Sequence, residues 1–193
     1  MLRKFFPAAA AFLAAACTAV PGSRPAQPAS AIEVQILALN DFHGNLDPSE
    51  APVRFEMAHD QFASARLGGA AFMGAELRKM RAGHHFTITV AAGDLIGASP
   101  LTSAYFLDEA TVDAMNLMGL ELASVGNHEF DKGSAELLRM QNGGCGKYTT
   151  RVPCRLERFK GARFEYLAAN VLRADGSTIF PATAISQIGP VKI

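Results

Sequence analysis

Six polar residues in three short stretches could do chemistry together: Asp41 and His43 in NDFHGN, Asp94 in AAGD, and Asn127, His128 and Asp131 in GNHEFD. Asp41-x-His43 supplies a carboxylate and an imidazole two residues apart, so a bend or a continuing strand can aim both at one ion. Asp94 follows Gly93, which permits a tight turn, and a carboxylate can bridge two cations. Asn127 adds a neutral carbonyl oxygen, more useful to a divalent metal than to an acid–base pair. Asp41, His43, Asp94 and Asn127 thus mix hard oxygen with borderline nitrogen donors and suit ions of the Zn, Mn, Co or Fe type. Taken singly, Asp41 or Asn127 reads more readily as a helix cap or turn former than as a ligand. What sets them apart is where they fall along the chain.

Each cluster closes an apolar run. Ile32–Leu39 alternates, becomes fully apolar and stops at Asn40, while Phe86–Ala92 ends in GD. Leu122–Val125 runs into GNHEFD, and Phe164–Ala169 stops at Asn170. These four read as strands. Between them, after a polar stretch, LGGAAFMGAELRKMRAG is expected to be helical with Phe72, Leu77 and Met80 on its apolar spacing. Leu107–Met118 carries Val112, Met115 and Met118 as a core face, and a short helix is expected over Ser134–Met140. Strand and helix in alternation predict an α/β architecture with parallel pairing. In such sheets ligands bind beyond the carboxyl ends of the strands, so the clusters, Asn170 included, are expected to meet in one crevice.

Other candidates carry less. His84 and His85 precede the second strand and Asp94 follows it, a separation of roughly 20 Å at about 3.3 Å per residue. Both are expected in solvent, as is His59. Met115, Met118 and Met140 read as core. Glu129 is expected to face away from the cluster.

Composition narrows the function classes. Lys plus Arg and Asp plus Glu number 18 each, which gives no electrostatic case for a nucleic-acid polymer or an anionic membrane surface. Met1–Lys4 is basic and leads into the Ala- and Phe-rich run 5–16, the pattern of a secretory signal and too short for a membrane span. Its end, LAAAC, loosely resembles a bacterial lipobox, with Cys17 as the residue to be lipidated and so anchored to a membrane. Cleavage nearby without lipidation is the alternative. Removing 1–16 takes away Arg3 and Lys4 and leaves 16 basic residues against 18 acidic. Residues 17–31 hold three prolines and read as a tether, so the folded part is expected over 32–193. Export, to the periplasm or outer cell surface, favours a disulfide between Cys145 and Cys154, with a pair of metal thiolates as the alternative.

In order along the chain, NDFHGN, AAGDLIGASP, VGNHEFD and LAANV resemble the successive N-terminal motifs of the calcineurin-like metallophosphoesterases, in the secreted bacterial 5′-nucleotidase and UDP-sugar hydrolase branch. The resemblance runs from about Ile32 to Ile193 and includes a disulfide loop like QNGGC with Cys154. It implies part of a four-layer α/β/β/α sandwich, cut after its first half, and two divalent metal ions. Asp41 and His43 would hold the first ion, Asp94 would bridge, and Asn127 would hold the second. His128 would sit at the phosphoryl group with Asp131 orienting its ring. The implied activity is hydrolysis of nucleotide phosphate esters, with a cyclic-nucleotide phosphodiesterase or UDP-sugar hydrolase as variants. The contrasting expectation is a non-catalytic exported lipoprotein or binding module.

The family completes its metal site with later histidines, and no His follows His128 here; a C-terminal domain that binds the base is also missing. The chain ends in an apolar PVKI. The expectation is therefore an N-terminal portion or truncated product, whose missing part would complete the site and which binds metal weakly and turns over slowly.

Overall fold

Four short strands, β1 (Gln35–Leu39), β4 (Thr87–Ala91), β5 (Leu122–Ser124) and β6 (Glu165–Leu167), form one parallel sheet in the order β1-β4-β5-β6. The computed structural model describes residues 31–193. The leader, Cys17 and all but the last residue of the tether lie outside them. All four strands lie within the segments expected from sequence. They are trimmed at their ends: β1 begins at Gln35 rather than Ile32.

Successive strands are neighbours, and each crossover is helical: α1 (Ala70–Arg81), then α2 (Leu101–Ala104) with α3 (Glu109–Met118), then α4 (Ser134–Asn142). The core gathers Leu37 and Ala91 from the sheet, Val112, Met115 and Met118 from α3, Leu137 and Met140 from α4, and Tyr166 with Phe164. This consequence of the order matters most for the site: β4 lies between β1 and β5, so a side chain leaving its end can reach both neighbours, each about 4.8 Å away.

Two expectations change. Leu77 of α1 is buried, but Phe72 and Met80 are 59% and 41% exposed. The helix packs through Gly74, whose missing side chain makes room for Met118. The expected helix over Leu107–Met118 starts two residues late, because Leu107 and Asp108 take left-handed φ of 59° and 64°. There the buried Asp108 carboxylate accepts from Ser103 Oγ at 2.7 Å and Lys132 Nζ at 2.5 Å.

The polar stretch before α1 folds as an antiparallel hairpin, β2 (Val53–Ala58) with β3 (Gln61–Ala65). The alternation VRFEMA and the His59-Asp60 turn were its signal. A second small ribbon, β7 (Gln187–Ile188) with β8 (Val191–Lys192), follows β6. Among the described residues no helix is long and apolar enough to cross a membrane.

Candidate metal centre

Beyond their carboxyl ends, β1 and β4 stay joined. Asp41 N donates to Gly93 O at 3.1 Å, His43 N to Asp94 O at 3.0 Å and Gly44 N to Leu95 O at 3.0 Å, so the ladder runs on through the two loops. This backbone zipper sets Asp41 and His43 against Asp94. One ligand atom from each of the three lies within 4.8 Å of the others. His43 Nε2 is 3.9 Å from Asp41 Oδ1, within the span of two donors each about 2 Å from a shared ion. His43 Nδ1 is 3.0 Å from Gly97 O, a bond that puts the proton on Nδ1 and leaves Nε2 as the electron-pair donor.

All three residues take left-handed backbone: φ is 51° at Asp41, 47° at His43 and 50° at Asp94. For non-glycine residues that costs on the order of 1 kcal/mol each, and such strain collects where geometry serves a function.

On the other side, β4 and β5 meet glycine to glycine. A Cβ on Gly93 would lie 2.7 Å from Gly126 N, and one on Gly126 would lie 2.2 Å from Asp94 Oδ1. Only without side chains can the GD and GN turns close this far. Asp94 Oδ1 then accepts from His128 N at 2.9 Å. Asn127 stands between these contacts, exposed, at the start of a single 3-10 turn over His128–Phe130.

The His128 ring stands edge-on to that of His43, centroids 4.9 Å apart, and its Nδ1 is 2.9 Å from Asp131 Oδ2. That hydrogen bond raises the imidazole pKa and lowers that of Asp131. Asp131 is itself held by Ala98 N at 3.1 Å.

The structure overturns the reading of Glu129. Rather than facing away, it is 2% exposed, and its carboxylate accepts Asp94 N at 2.9 Å, Leu95 N at 2.8 Å and Gly126 N at 2.6 Å. Burial raises its pKa, and the backbone donors oppose that without cancelling it. A usable signal was its place three residues after Gly126 at the start of a helical turn, the spacing at which a Glu reaches back to a preceding N–H. Asn170, by contrast, is exposed beyond the edge strand β6, and no hydrogen bond joins its side chain to the cluster. Cys145 and Cys154 are bonded to each other, Cα–Cα 5.6 Å.

The donor set fits divalent cations. Asp41, Asp94 and Asp131 make the crevice anionic, and Lys132, the nearest basic residue in sequence, is engaged by Asp108. A cleft of about 580 Å³ opens next to the His43 loop, between Asn45, Asp47, Glu50 and Leu101, and is lined by no basic side chain. A phosphate brought here meets like charge unless cations neutralise it.

No family model matches the chain. An uncharacterised protein of Acinetobacter calcoaceticus is 45% identical over 179 residues, 90% of this chain and 85% of that protein. Endonuclease YhcR of Bacillus subtilis is 30% identical over 88% of this chain, and the NAD 5′-nucleotidase of Haemophilus influenzae 32% over 57%. Of these longer relatives the chain spans 13% and 18%. The solved Haemophilus influenzae NAD nucleotidase superposes with a TM-score of 0.63 at 24% identity, over 82% of this chain and 25% of that one. Motifs, sheet and relatives agree: the chain is similar to the N-terminal, metallophosphoesterase-type part of the 5′-nucleotidases.

Proposed function

We propose that this site hydrolyses phosphate esters of nucleotides with two divalent ions. Asp41 and His43 would hold the first, Asp94 would bridge, and Asn127 would hold the second. The observation that carries the reading is the convergence of Asp41, His43 and Asp94 within 4.8 Å, with the His128 ring against His43. Such ions supply Lewis-acid charge for the phosphoryl oxygens. The chain's own residues do the rest. The backbone zipper fixes the donors, Gly97 O sets the His43 tautomer, and Asp131 holds His128 through Nδ1. With its pKa raised by that bond, His128 carries more imidazolium at neutral pH, and we assign it a proton at Nε2 for a phosphoryl or leaving oxygen.

Four ligands leave two ions short of donors, so these residues are expected to bind metal weakly and to turn over slowly. Export is proposed from the leader, in keeping with a relative named as a cell wall protein of Listeria monocytogenes. Lipidation at Cys17 would anchor the product.

The test is phosphate release from AMP, a UDP-sugar and a 2′,3′-cyclic nucleotide with Mn²⁺, Co²⁺ or Zn²⁺, with single-stranded DNA included because one relative is named an endonuclease. Equal numbers of basic and acidic residues supply no track for a polyanion, so mononucleotide esters are expected to be preferred. Metal-dependent release that Asp94→Asn abolishes supports the proposal. A wild-type protein that takes up no metal overturns it in favour of a non-catalytic binding module, and turnover at ordinary enzyme rates, about 1–1000 per second, overturns the incomplete-site part.

A further inference from the structure

A buried carboxylate ordinarily meets a cation, because an unpaired charge away from water is costly. Glu129 does not follow that rule: among the described residues, every hydrogen bond to its carboxylate comes from a backbone N–H. Oε1 takes Leu95 N at 2.8 Å and, at the limit of a bond, Ile96 N at 3.5 Å. Oε2 takes Asp94 N at 2.9 Å and Gly126 N at 2.6 Å, so one oxygen joins the end of β4 to the end of β5. The contact is reciprocal. Asp94 gives its N–H to Glu129, while its own Oδ1 accepts the N–H of His128, one residue before Glu129. Holding Oδ1 in this way restrains the orientation of the Asp94 carboxylate.

We propose that Glu129 is a positioning residue for the metal site: its buried carboxylate clasps the Gly93-Asp94 and Gly126-Asn127 turns together and so fixes the Asp94 oxygens relative to Asn127 and His128. The inference rests on the metal-site reading above. It gives the two glycines a joint purpose. Gly93 and Gly126 let the backbones close to where a single oxygen spans both N–H groups, and Glu129 supplies that oxygen. The backbone donors act as an anion-binding nest, here filled by a side chain of the protein itself. A carboxylate that only filled the core would have no reason to bridge these two turns rather than pair with a nearby cation, as Glu136 does with Arg139.

The experiment is Mn²⁺ titration of the full chain, followed by calorimetry, in the wild type, Glu129→Gln, Glu129→Asp and Met115→Ala, with melting temperature as the control for folding. Gln keeps the size but opposes a donor to at least one of the N–H groups. Asp keeps the charge but draws the carboxylate back by one methylene. Both are expected to weaken Mn²⁺ binding by about 10- to 100-fold, the usual cost of losing a partner that orients metal ligands. Met115→Ala, a core truncation on α3, is expected to lower the melting temperature and keep wild-type affinity.

Wild-type affinity in Glu129→Asp reduces Glu129 to a charge effect and overturns the proposal, as does equal weakening in Met115→Ala. A wild type that binds no Mn²⁺ instead overturns the functional reading on which this rests. Should neither Glu129 variant fold, amide exchange in the wild type decides: Asp94, Leu95 and Gly126 N–H are expected among the slowly exchanging amides, and fast exchange at these three overturns the clasp.

Discussion

Among the described residues Glu129 is held by backbone N–H groups alone, whereas Glu109 and Glu136, also buried, share the guanidinium of Arg139. Arg139 donates to Glu136 through Nε and Nη2 at 2.9 and 2.6 Å, and through Nη1 to Glu109 at 2.7 Å and Gly144 O at 3.0 Å. Burial acts against the arginine's charge, but the hydrogen bonds to both glutamates win, and its pKa is raised. At Glu129 burial wins and the carboxyl pKa is raised. The two solutions serve different ends. A cation beside Glu129 would stand next to Asp94 and compete with the metal ions proposed there. At the Cys145–Cys154 loop no metal ion is proposed to compete with the Arg139 cation, and Glu109 also accepts Cys154 N at 3.0 and 3.2 Å.

The sharpest way to break this comparison is Arg139→Met. It strands two buried carboxylates and is expected to cost about 3–5 kcal/mol in urea unfolding. Metal affinity of the folded protein should stay unchanged, in contrast to the Glu129 variants. A loss below about 1 kcal/mol would mean that the buried cluster is solvated or neutral, and the contrast with Glu129 would lapse.

Asp108 and Lys132 form an intermediate case, a fully buried carboxylate with a partly exposed cation. Burial pushes the Asp108 pKa up, but the Lys132 charge with hydrogen bonds from Lys132 and Ser103 outweighs it, and the net shift is downward. A depressed carboxyl pKa stabilises the fold above the unfolded value, and this contribution is lost as pH falls through the folded one, below about pH 4. Lys132→Met is expected to cost about 3 kcal/mol at neutral pH and to flatten that acid limb of the stability curve. Stability profiles from pH 2 to 7 check it, and an unaltered acid limb in the variant would count against the pairing.

The disulfide ranks next. Cys145→Ser with Cys154→Ser opens a loop with sequence separation 9 and is expected to cost about 2 kcal/mol, since closing so short a loop removes limited chain entropy. If Arg139 and Glu109 hold the loop independently, the loss adds to that of Arg139→Met. A double-mutant cycle reads the coupling, and a coupling above about 1 kcal/mol would make the loop and the ion cluster one unit.

These contrasts also show what the sequence could and could not convey. Strand positions were legible because four apolar runs of period two or less each end in a polar residue, and parallel order followed from the helices between them. The approach of Asp41, His43, Asp94 and His128 to one another was legible for the same reason, since strand ends fix which residues share an edge. Glu129 was legible only in part: its spacing from Gly126 marks the local N–H contact, but its partners at the end of β4 are backbone groups, which every residue carries and no side-chain pattern marks. Asp108 breaks a helix that its neighbours favour, for a tertiary reason: Ser103 and Lys132, five residues before and 24 after, converge on its carboxylate. Phe72 and Met80 kept a helical spacing yet lie outside the buried face, which Gly74 and Leu77 define by packing on α3.

The smallest expected effect tests how complete the Glu129 clasp is. Tyr166 on β6 is buried, and among the described residues its phenol oxygen has no hydrogen-bond partner. Burial pushes its pKa well above the ordinary phenol range, with the charges of Glu129 and Asp108 adding to the rise. If the backbone donors satisfy Glu129, the phenol contributes nothing to it, and removing an unpartnered hydroxyl should relieve a desolvation cost. Tyr166→Phe is then expected to leave stability within about 0.5 kcal/mol or to raise it by up to about 1 kcal/mol, with Mn²⁺ affinity unchanged. A loss above about 1 kcal/mol together with weaker metal binding would instead identify a buried water carrying a hydrogen bond from the phenol to the Glu129 carboxylate. The backbone-only account of Glu129 would then give way to a network in which the edge strand β6 also helps to set the metal site.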